Sequence, residues 1–242
     1  MVRKRSPKDE PALSRGERKL RTRQSLIDTV LTLIADDRAF TSLSLREIAR
    51  GAGVAPNAFY RHFDDVESLG LAVLDEGGLT LRRLLRSVRE AGLPEREVVR
   101  RSVDTYVAYV RAHHAHFLFV VRERVGGSAV IREAVRREIG HFASDMAADF
   151  ESYGWFGHVS AQTRRLIADV VVGLMLDAAV EILDLPRDAP ERERELVERL
   201  VRHLVLVFLG AAAWRDPASL APSTGTAGSA ESAGRARPAR RR

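Results

Sequence analysis

The sequence of 242 residues predicts an all-α fold with a small N-terminal helical unit and a larger C-terminal one. Apolar residues recur at helical spacings, beginning with Leu20, Ile27 and Val30. Glycines and prolines interrupt this pattern at intervals typical of helix boundaries. No segment shows the sustained alternation of apolar and polar residues that is typical of a β-strand.

The composition excludes several classes of site. The chain has no cysteine, so disulfides, thiolate metal sites and cysteine nucleophiles are absent. The most apolar stretch carries Asp169, Asp177 and Glu181, which breaks the uninterrupted run that a membrane span needs. The charged N-terminus has no apolar stretch behind it, as a secretory signal would. We therefore expect a soluble, cytoplasmic protein.

Charge is distributed unevenly along the chain. Residues 1–63 contain 13 Lys/Arg against 7 Asp/Glu, whereas residues 64–214 contain 20 against 24. Residues 1–17 form a predicted basic, disordered arm that is suited to contact with a polyanion, because each neutralised phosphate releases counterions. Residues 215–242, rich in Ala, Gly, Ser, Pro and Arg, are predicted to be a disordered tail.

Local signals place the first two helices. Helical periodicity begins near Arg18 and stops at the segment ADDRAFTSL. Ser44 and Glu47 then form a predicted capping box, in which each side chain accepts a hydrogen bond from a free backbone N–H. These signals predict a short second helix over about 45–52.

A third helix follows after a very short link. Gly53 is suited to the left-handed conformation that ends a helix, and Pro56 is suited to the first turn of the next one. Two short helices so closely linked must cross at a large angle. We therefore predict a helix-turn-helix DNA-binding domain over residues 18–64.

The third helix has one packing face and one presenting face. Phe59 and Phe63 lie one turn apart on the side expected to face the core. On the opposite arc, Asn57 has the geometry to pair with adenine, and Arg61 with guanine or phosphate. The Tyr60 hydroxyl and the His62 imidazole suit backbone oxygens.

Further contacts to phosphates are expected around this helix. Ser44 and Arg46 lie at the start of the second helix, where free N–H groups favour a phosphate. The basic cluster RGERKLRTR adds Arg18, Lys19 and Arg21 as predicted DNA contacts.

The remaining residues, 65–214, predict a larger helical domain. Asp64 and Glu67 suggest a second capping box before a long helix, and Gly77-Gly78 suggests a bend or break inside it. Further helices are predicted over about 95–112, 114–125, 128–150, 160–185 and 190–213.

Apolar residues of this domain allow either a filled core or a ligand cavity between helices. The candidate cavity residues are Leu81, Leu84, Phe117, Val120, Phe142, Met146 and Phe150. The last two predicted helices are apolar around most of their circumference, which favours a two-fold dimer. The candidate dimer residues are Gly173, Leu174, Ala178, Leu204 and Phe208.

No motif favours an enzyme. The sequence HHAH at 113–116 lacks the helical spacing of a zinc-binding pair, so no metal or other cofactor is expected. Ser128 follows two glycines but has no nucleophile-elbow motif, and helix capping explains it adequately.

The segment SLSLREIARGAGVAPNAFYRHF, within a match of about fifty positions, resembles the N-terminal domain of TetR-family transcriptional regulators. The resemblance implies an all-α homodimer that binds a palindromic operator, with a larger helical domain that binds a ligand and dimerises. Carried over by position, Ser44, Arg46, Pro56, Asn57, Tyr60, Arg61 and His62 match positions that touch DNA in the family.

Within that family, the segment RERVGGSAVIREAVRREIGHF is most similar to FabR-like repressors of unsaturated fatty acid synthesis. This likeness implies a long-chain acyl-CoA or acyl-carrier protein as the effector. We expect the effector's thioester or phosphates near Arg122, Arg124, Arg132 or Arg136, although an ordinary ion-paired surface also explains these arginines. The alternatives are a TetR-type regulator of another apolar compound, such as a drug or steroid, or an acyl-thioester enzyme.

Overall fold

The computed structural model describes residues 14–92 and 95–217. Within these ranges the chain folds into nine α-helices and one short 3₁₀ turn without a strand, which confirms the predicted all-α class. None of the helices in this part of the chain is long and apolar enough to cross a membrane. Most of the predicted arm and tail lies outside the described residues, and the predicted domain boundary at residue 64 stays a prediction.

The first helix, α1, spans Arg15–Ala35 and begins three residues before the predicted start. The reason is a capping box that periodicity alone does not reveal. The Ser14 hydroxyl accepts a hydrogen bond from the Glu17 backbone N–H at 3.2 Å, and the Glu17 carboxylate accepts one from the Ser14 N–H at 2.7 Å. These bonds satisfy backbone donors at the helix start.

Helix α2 spans Leu45–Gly51, close to the prediction. Ser44 caps it by accepting from the Glu47 N–H at 3.2 Å. The Glu47 carboxylate does not complete the predicted box, because it binds the Arg38 guanidinium at 2.8 Å instead. Gly51 allows α1 and α2 to approach closely, since a Cβ there would lie 2.5 Å from the Thr29 methyl group.

The turn after α2 has the predicted left-handed residue, Gly53, at φ 67°. Helix α3 then covers only Pro56–Phe59. Beyond it the chain continues as a tight turn, in which the His62 and Phe63 N–H groups both donate to the Phe59 carbonyl at 2.9 and 3.1 Å. Phe59 and Phe63 are nonetheless both buried, as the spacing predicts.

Helix α4 spans Val66–Glu90, and its cap differs from the predicted one by a residue. Asp65 and Ser68 form the capping box, at 2.6 and 3.2 Å, whereas Glu67 accepts a hydrogen bond from the Ser128 hydroxyl at 2.6 Å. The predicted break at Gly77-Gly78 is wrong, because α4 continues through both residues. Gly78 serves packing, since a Cβ there would lie 2.0 Å from the Glu138 carboxylate.

The remaining helices follow the predicted boundaries closely. They are α5 (Glu95–Ala112), α6 (His114–Glu123), α7 (Ala129–Ser152), α8 (Ala161–Asp184) and α9 (Pro190–Ala213). Ser128 and Ser160 cap α7 and α8 by accepting from the backbone N–H three residues later.

Three apolar clusters hold these helices together, and the smallest joins α7, α8 and the end of α9 around Phe150. The first cluster joins α1–α3 to the N-terminal half of α4 and also to α6 and α7. We call the helix-turn-helix the reader, and this cluster the reader core. Within it, Phe40 packs edge-to-face against Phe119 of α6, with ring centroids 5.1 Å apart. A second core holds α4, α5, α8 and α9 together. The helix-turn-helix is therefore mounted directly on the larger helical domain.

Candidate functional site

The presenting face of the helix-turn-helix is open to solvent. Tyr60 is 61% exposed, and Asn57 and Arg61 are exposed beside it. The Tyr60 ring stands edge-to-face on the buried Phe59 ring, with centroids 5.9 Å apart. The buried phenylalanine thus holds the turn while its neighbours offer an amide, a phenol and a guanidinium to a partner.

Helix α1 extends the same surface. Arg18, Lys19 and Arg21 are exposed near its N-terminus. The Arg23 guanidinium lies 4.9 Å from the centre of the Phe63 ring, a cation–π contact that fixes α1 beside the reading turn. The predicted phosphate contacts of α1 and the predicted base contacts of α3 therefore belong to one neighbourhood.

The cations of this neighbourhood have no carboxylate partners among the described residues. None of the following takes part in an ion pair there: Arg18, Lys19, Arg21, Arg46 and Arg61. The larger domain, by contrast, pairs many of its arginines with acids on neighbouring helices. Unpaired exposed cations are what a phosphate backbone neutralises.

His62 differs from the other predicted contacts. It is half-buried, and its Nδ1 atom is buried without a hydrogen-bond partner in the described part of the chain. Burial lowers the pKa of His62, and the positive charges of Lys19, Arg23 and Arg61 lower it further. His62 therefore contributes a neutral imidazole to this surface at pH 7. Ser44 and Pro56 are exposed, and DNA contact at all these positions stays a prediction.

The second feature is a cavity of about 160 Å³ lined by residues of helices α4 to α9. Six of the seven predicted residues line it, namely Leu81, Phe117, Val120, Phe142, Met146 and Phe150. Leu84 does not, since it is 40% exposed and Leu85 takes its place in the wall. The period of α4 turns Leu81 and Leu85 inward on one face and Leu84 outward.

A few polar groups interrupt the apolar wall. The Tyr106 hydroxyl donates to the Met175 carbonyl at 2.8 Å, and burial raises the pKa of this phenol. Glu138 accepts from the Arg82 guanidinium at 2.6 Å. Arg89 binds Asp149 of α7. Each of these groups satisfies a partner across a helix–helix interface.

The four arginines expected near an effector's thioester or phosphates do not line the cavity. Arg122 pairs with Asp37, Arg124 with Asp177 and Arg136 with Glu133. Arg132 donates to the Gly126 carbonyl. The ion-paired surface is therefore the correct interpretation of these side chains.

The dimer prediction needs a correction of residues. Ala178 and Leu204 are buried in the core of the chain and cannot meet a partner. Leu174 and Phe208 pack partly against that core, and Phe208 lines the cavity. The exposed apolar residues of α8 and α9 are instead Leu166, Val170, Val180, Leu206 and Leu209. Gly173 does lie on the stripe that Leu166 and Val170 form, and no atom lies within 4 Å of its Cβ position.

No group of His, Asp or Glu in the described ranges has the geometry of a metal site. In the HHAH segment, His113 stacks on Tyr109 at a ring separation of 3.9 Å and contacts the Tyr109 carbonyl at 3.0 Å. These contacts give His113 a packing role.

The fold and surface together define a helix-turn-helix transcriptional regulator. The profile described as "Bacterial regulatory proteins, tetR family" matches residues 31–73, and that of the "Tetracyclin repressor-like, C-terminal domain" matches residues 95–207. The chain belongs to the TetR family of DNA-binding regulators.

Solved structures share this fold at low sequence identity. Salmonella enterica GusR is 18% identical at a TM-score of 0.64, covering 82% of this chain and 100% of its own. The fatty acid degradation regulator FadR from Bacillus halodurans is 16% identical at 0.60, covering 80% and 97%. AibR, solved with isovaleryl coenzyme A and operator DNA, is 17% identical at 0.58, covering 76% and 97%.

Two features of the structure escaped the sequence reasoning. Arg89 lines the cavity, and its spacing of four and eight residues from Leu85 and Leu81 was a usable signal. The exposed stripes of α8 and α9 were harder to find, because nearly every face of these helices is apolar.

The lowered pKa of His62 predicts a pH dependence of stability. The unfolded chain binds a proton at this imidazole near the ordinary value of 6.5, whereas the folded chain binds it only at lower pH. The free energy of unfolding should therefore fall as the pH drops below about 6.5. His62→Gln should make this fall shallower in urea titrations at a series of pH values.

A matched control for this measurement is His203→Gln, since His203 is an exposed imidazole on α9. It should leave the pH profile at the wild-type slope. An identical slope for wild type and His62→Gln would contradict the assignment.

Proposed function

We propose that the protein is a homodimeric repressor that binds a palindromic operator and controls genes of fatty acid metabolism. Its proposed effector is a long-chain acyl-CoA or acyl-carrier protein. One observation carries the proposal: the helix-turn-helix presents exposed cations without ion-pair partners, and its core shares residues with the wall of an apolar cavity.

The proposed DNA recognition combines base contacts from the region of α3 with phosphate contacts from the residues around it. Asn57 and Arg61 carry the donor and acceptor groups that distinguish base edges in the major groove. Arg18, Lys19 and Arg46 supply the sequence-independent attraction to phosphates. Helix α3 ends at Phe59, so Tyr60 and Arg61 lie in the tight turn that follows it. Both side chains are exposed there.

Dimerisation is supported by the apolar stripes on α8 and α9. Leu206 and Leu209 are 66% and 61% exposed, and they lie near the C-terminal end of α9. Contiguous exposed apolar residues mark association surfaces in folded proteins. If α8 and α9 pack against the same two helices of a second copy, the dimer would place two helix-turn-helix units on one operator.

An acyl effector is supported by the character of the cavity. Its wall is built almost entirely from aliphatic and aromatic side chains. The volume of about 160 Å³ matches a small apolar body, so a long chain must widen the cavity as it enters. Two regulators that share the fold, FadR and AibR, are described with fatty acid degradation and with isovaleryl coenzyme A.

Coupling between cavity and reader follows from shared residues. Val73 and Val135 line the cavity and also belong to the reader core. Phe117 and Val120 line the cavity on either side of Phe119, which packs on Phe40. A ligand that widens the cavity displaces these residues, and it changes DNA affinity by its preference for one reader position.

Arg61→Ala should weaken operator binding by about tenfold or more, because one good base or phosphate contact is lost. Its thermal midpoint should stay near the wild-type value, since Arg61 is exposed and unpaired. The measurement is fluorescence anisotropy with an operator selected from a random DNA pool. Arg101→Ala, an exposed arginine of α5, should bind the operator as wild type does; equal losses for both variants would contradict the assignment.

Leu206→Glu should yield a monomer that binds the operator poorly, since a carboxylate on the apolar stripe opposes its own symmetry mate. Light scattering after gel filtration measures the mass. Val125→Glu is the control, because Val125 is the most exposed apolar residue of the loop before α7. A dimeric Leu206→Glu variant with full operator affinity would refute the proposed interface.

Oleoyl-CoA should change operator affinity by about fivefold or more, the usual size of an allosteric coupling. Coenzyme A without the acyl chain should change nothing, because it has no apolar chain to bury in the cavity. Operator titrations with each compound make the comparison. If only a steroid or drug has an effect, the regulator stands and its acyl effector is wrong.

A further inference from the structure

Arg89 occupies an unusual place in the cavity. Among the described residues it is the only arginine or lysine in the wall, and its side chain is 9% exposed. It lies on the same face of α4 as Leu81 and Leu85, which places it at one end of the apolar surface. Arg86, one turn earlier, is 49% exposed. Arg86 therefore faces solvent, whereas Arg89 lines the cavity at the same end of α4.

The hydrogen bonds of Arg89 leave part of its guanidinium unused. Its Nε atom donates to Oδ2 of Asp149 at 2.7 Å, and its Nη2 atom donates to the same oxygen. No described residue accepts a hydrogen bond from Nη1. Arg86 also lies against Asp149, with Nε 3.5 Å from Oδ1. Two guanidiniums thus share the one carboxylate of Asp149.

Two other polar groups of the wall do not offer this chemistry. Glu138 has its charge matched by Arg82. The Tyr106 proton is already donated to the Met175 carbonyl. An anion or acyl oxygen that enters the cavity finds its charged donor at Arg89.

We propose that Arg89 binds the acyl oxygen of the effector, either the carboxylate of a fatty acid or the carbonyl of its thioester. This inference rests on the proposed acyl effector and names the residue that orients it. The ligand oxygen accepts a hydrogen bond from Nη1, and Asp149 competes with it only for the positive charge of the guanidinium.

This orientation fixes where the chain ends. Along α4 the wall runs from Arg89 back to Val73, a helix length of about 24 Å. With its head at Arg89, the chain extends towards Val73 and Leu74, which belong to the reader core. Long chains therefore reach the reader core, whereas short ones fill only the Arg89 end.

The test compares three ligands that share a ten-carbon chain: decanoate, decanoyl-CoA and 1-decanol. Trp155 lines the cavity and reports binding by fluorescence in a Trp214→Phe background. Arg89→Gln should weaken the binding of decanoate, decanoyl-CoA or both by about tenfold or more, the usual size of a charged hydrogen bond. Binding of 1-decanol should be unchanged, and Arg86→Gln should change each affinity by less than about threefold.

The variant Asp149→Asn distinguishes a ligand-binding role of Arg89 from a purely structural ion pair with Asp149. Removing the competing carboxylate frees Arg89, so decanoate should bind more tightly than it does to wild type. If Arg89→Gln alone fails to fold because the buried Asp149 loses both hydrogen bonds from Arg89, the double variant Arg89→Gln with Asp149→Asn replaces the ion pair by a neutral pair and should show the same loss.

The comparison of decanoate with decanoyl-CoA shows which acyl oxygen binds Arg89. A loss confined to decanoate supports the carboxylate, and a loss confined to decanoyl-CoA supports the thioester carbonyl. Unchanged binding of both by the Arg89 variants overturns the inference, while an operator response to oleoyl-CoA would keep the proposed function. Failure of all three ligands to bind wild type overturns the inference, and it overturns the acyl effector as well if oleoyl-CoA leaves operator affinity unchanged.

Discussion

The structure depends on one packing arrangement, the apolar core in which the helix-turn-helix meets α4, α6 and α7. A three-helix reader of this size buries too little surface to be very stable by itself. Here Phe40 packs on Phe119, and Gly70 lets Phe40 and Ile131 approach the α4 backbone, where a Cβ would lie 2.6 and 2.9 Å from them. Polar contacts at the edge, Arg122 with Asp37 and Ser128 with Glu67, align the same elements.

That core is also the basis of the proposed coupling between the cavity and DNA binding. Close-packed interiors transmit displacement because they contain little free space. The wall of the cavity and the reader core share residues of α4 and α7, so the two cannot move independently. Val73, Leu74 and Val135 belong to both the cavity wall and this core. The proposed regulation by an apolar compound therefore acts through residues that the two share.

Much of this organisation was predictable from sequence because its signals are local. Pro56, Gly53 and the two phenylalanines gave the reading turn, and glycine, proline and serine punctuation gave α5 to α9 within a few residues. The errors arose where a side chain had a choice of partners. Glu47 prefers Arg38 to its own helix start, and Glu67 accepts from Ser128, so neither completes a capping box.

The candidate sites divide in the same way. The cavity residues follow helical periodicity, and only Leu84 was placed on the wrong face. The sequence could not assign Arg122 and Arg124, because their acidic partners lie far away in the chain. Arg136 pairs with Glu133 on its own helix, but the sequence does not show whether its partner is this carboxylate or a ligand. Ala178 and Leu204 were taken for the dimer surface because periodicity does not separate the two apolar faces of α8 and α9. Only the packing against α5, α6 and α7 shows which face is inside.

The central claim is that the reader and the cavity domain form one cooperative unit through the Phe40–Phe119 core. Equilibrium unfolding in urea tests it most directly, with Trp155 fluorescence reporting on the cavity domain and hydrogen exchange of residues 45–63 on the reader. The account predicts coincident transitions with one midpoint. Loss of protection in residues 45–63 at a clearly lower urea concentration than the Trp155 transition would contradict it.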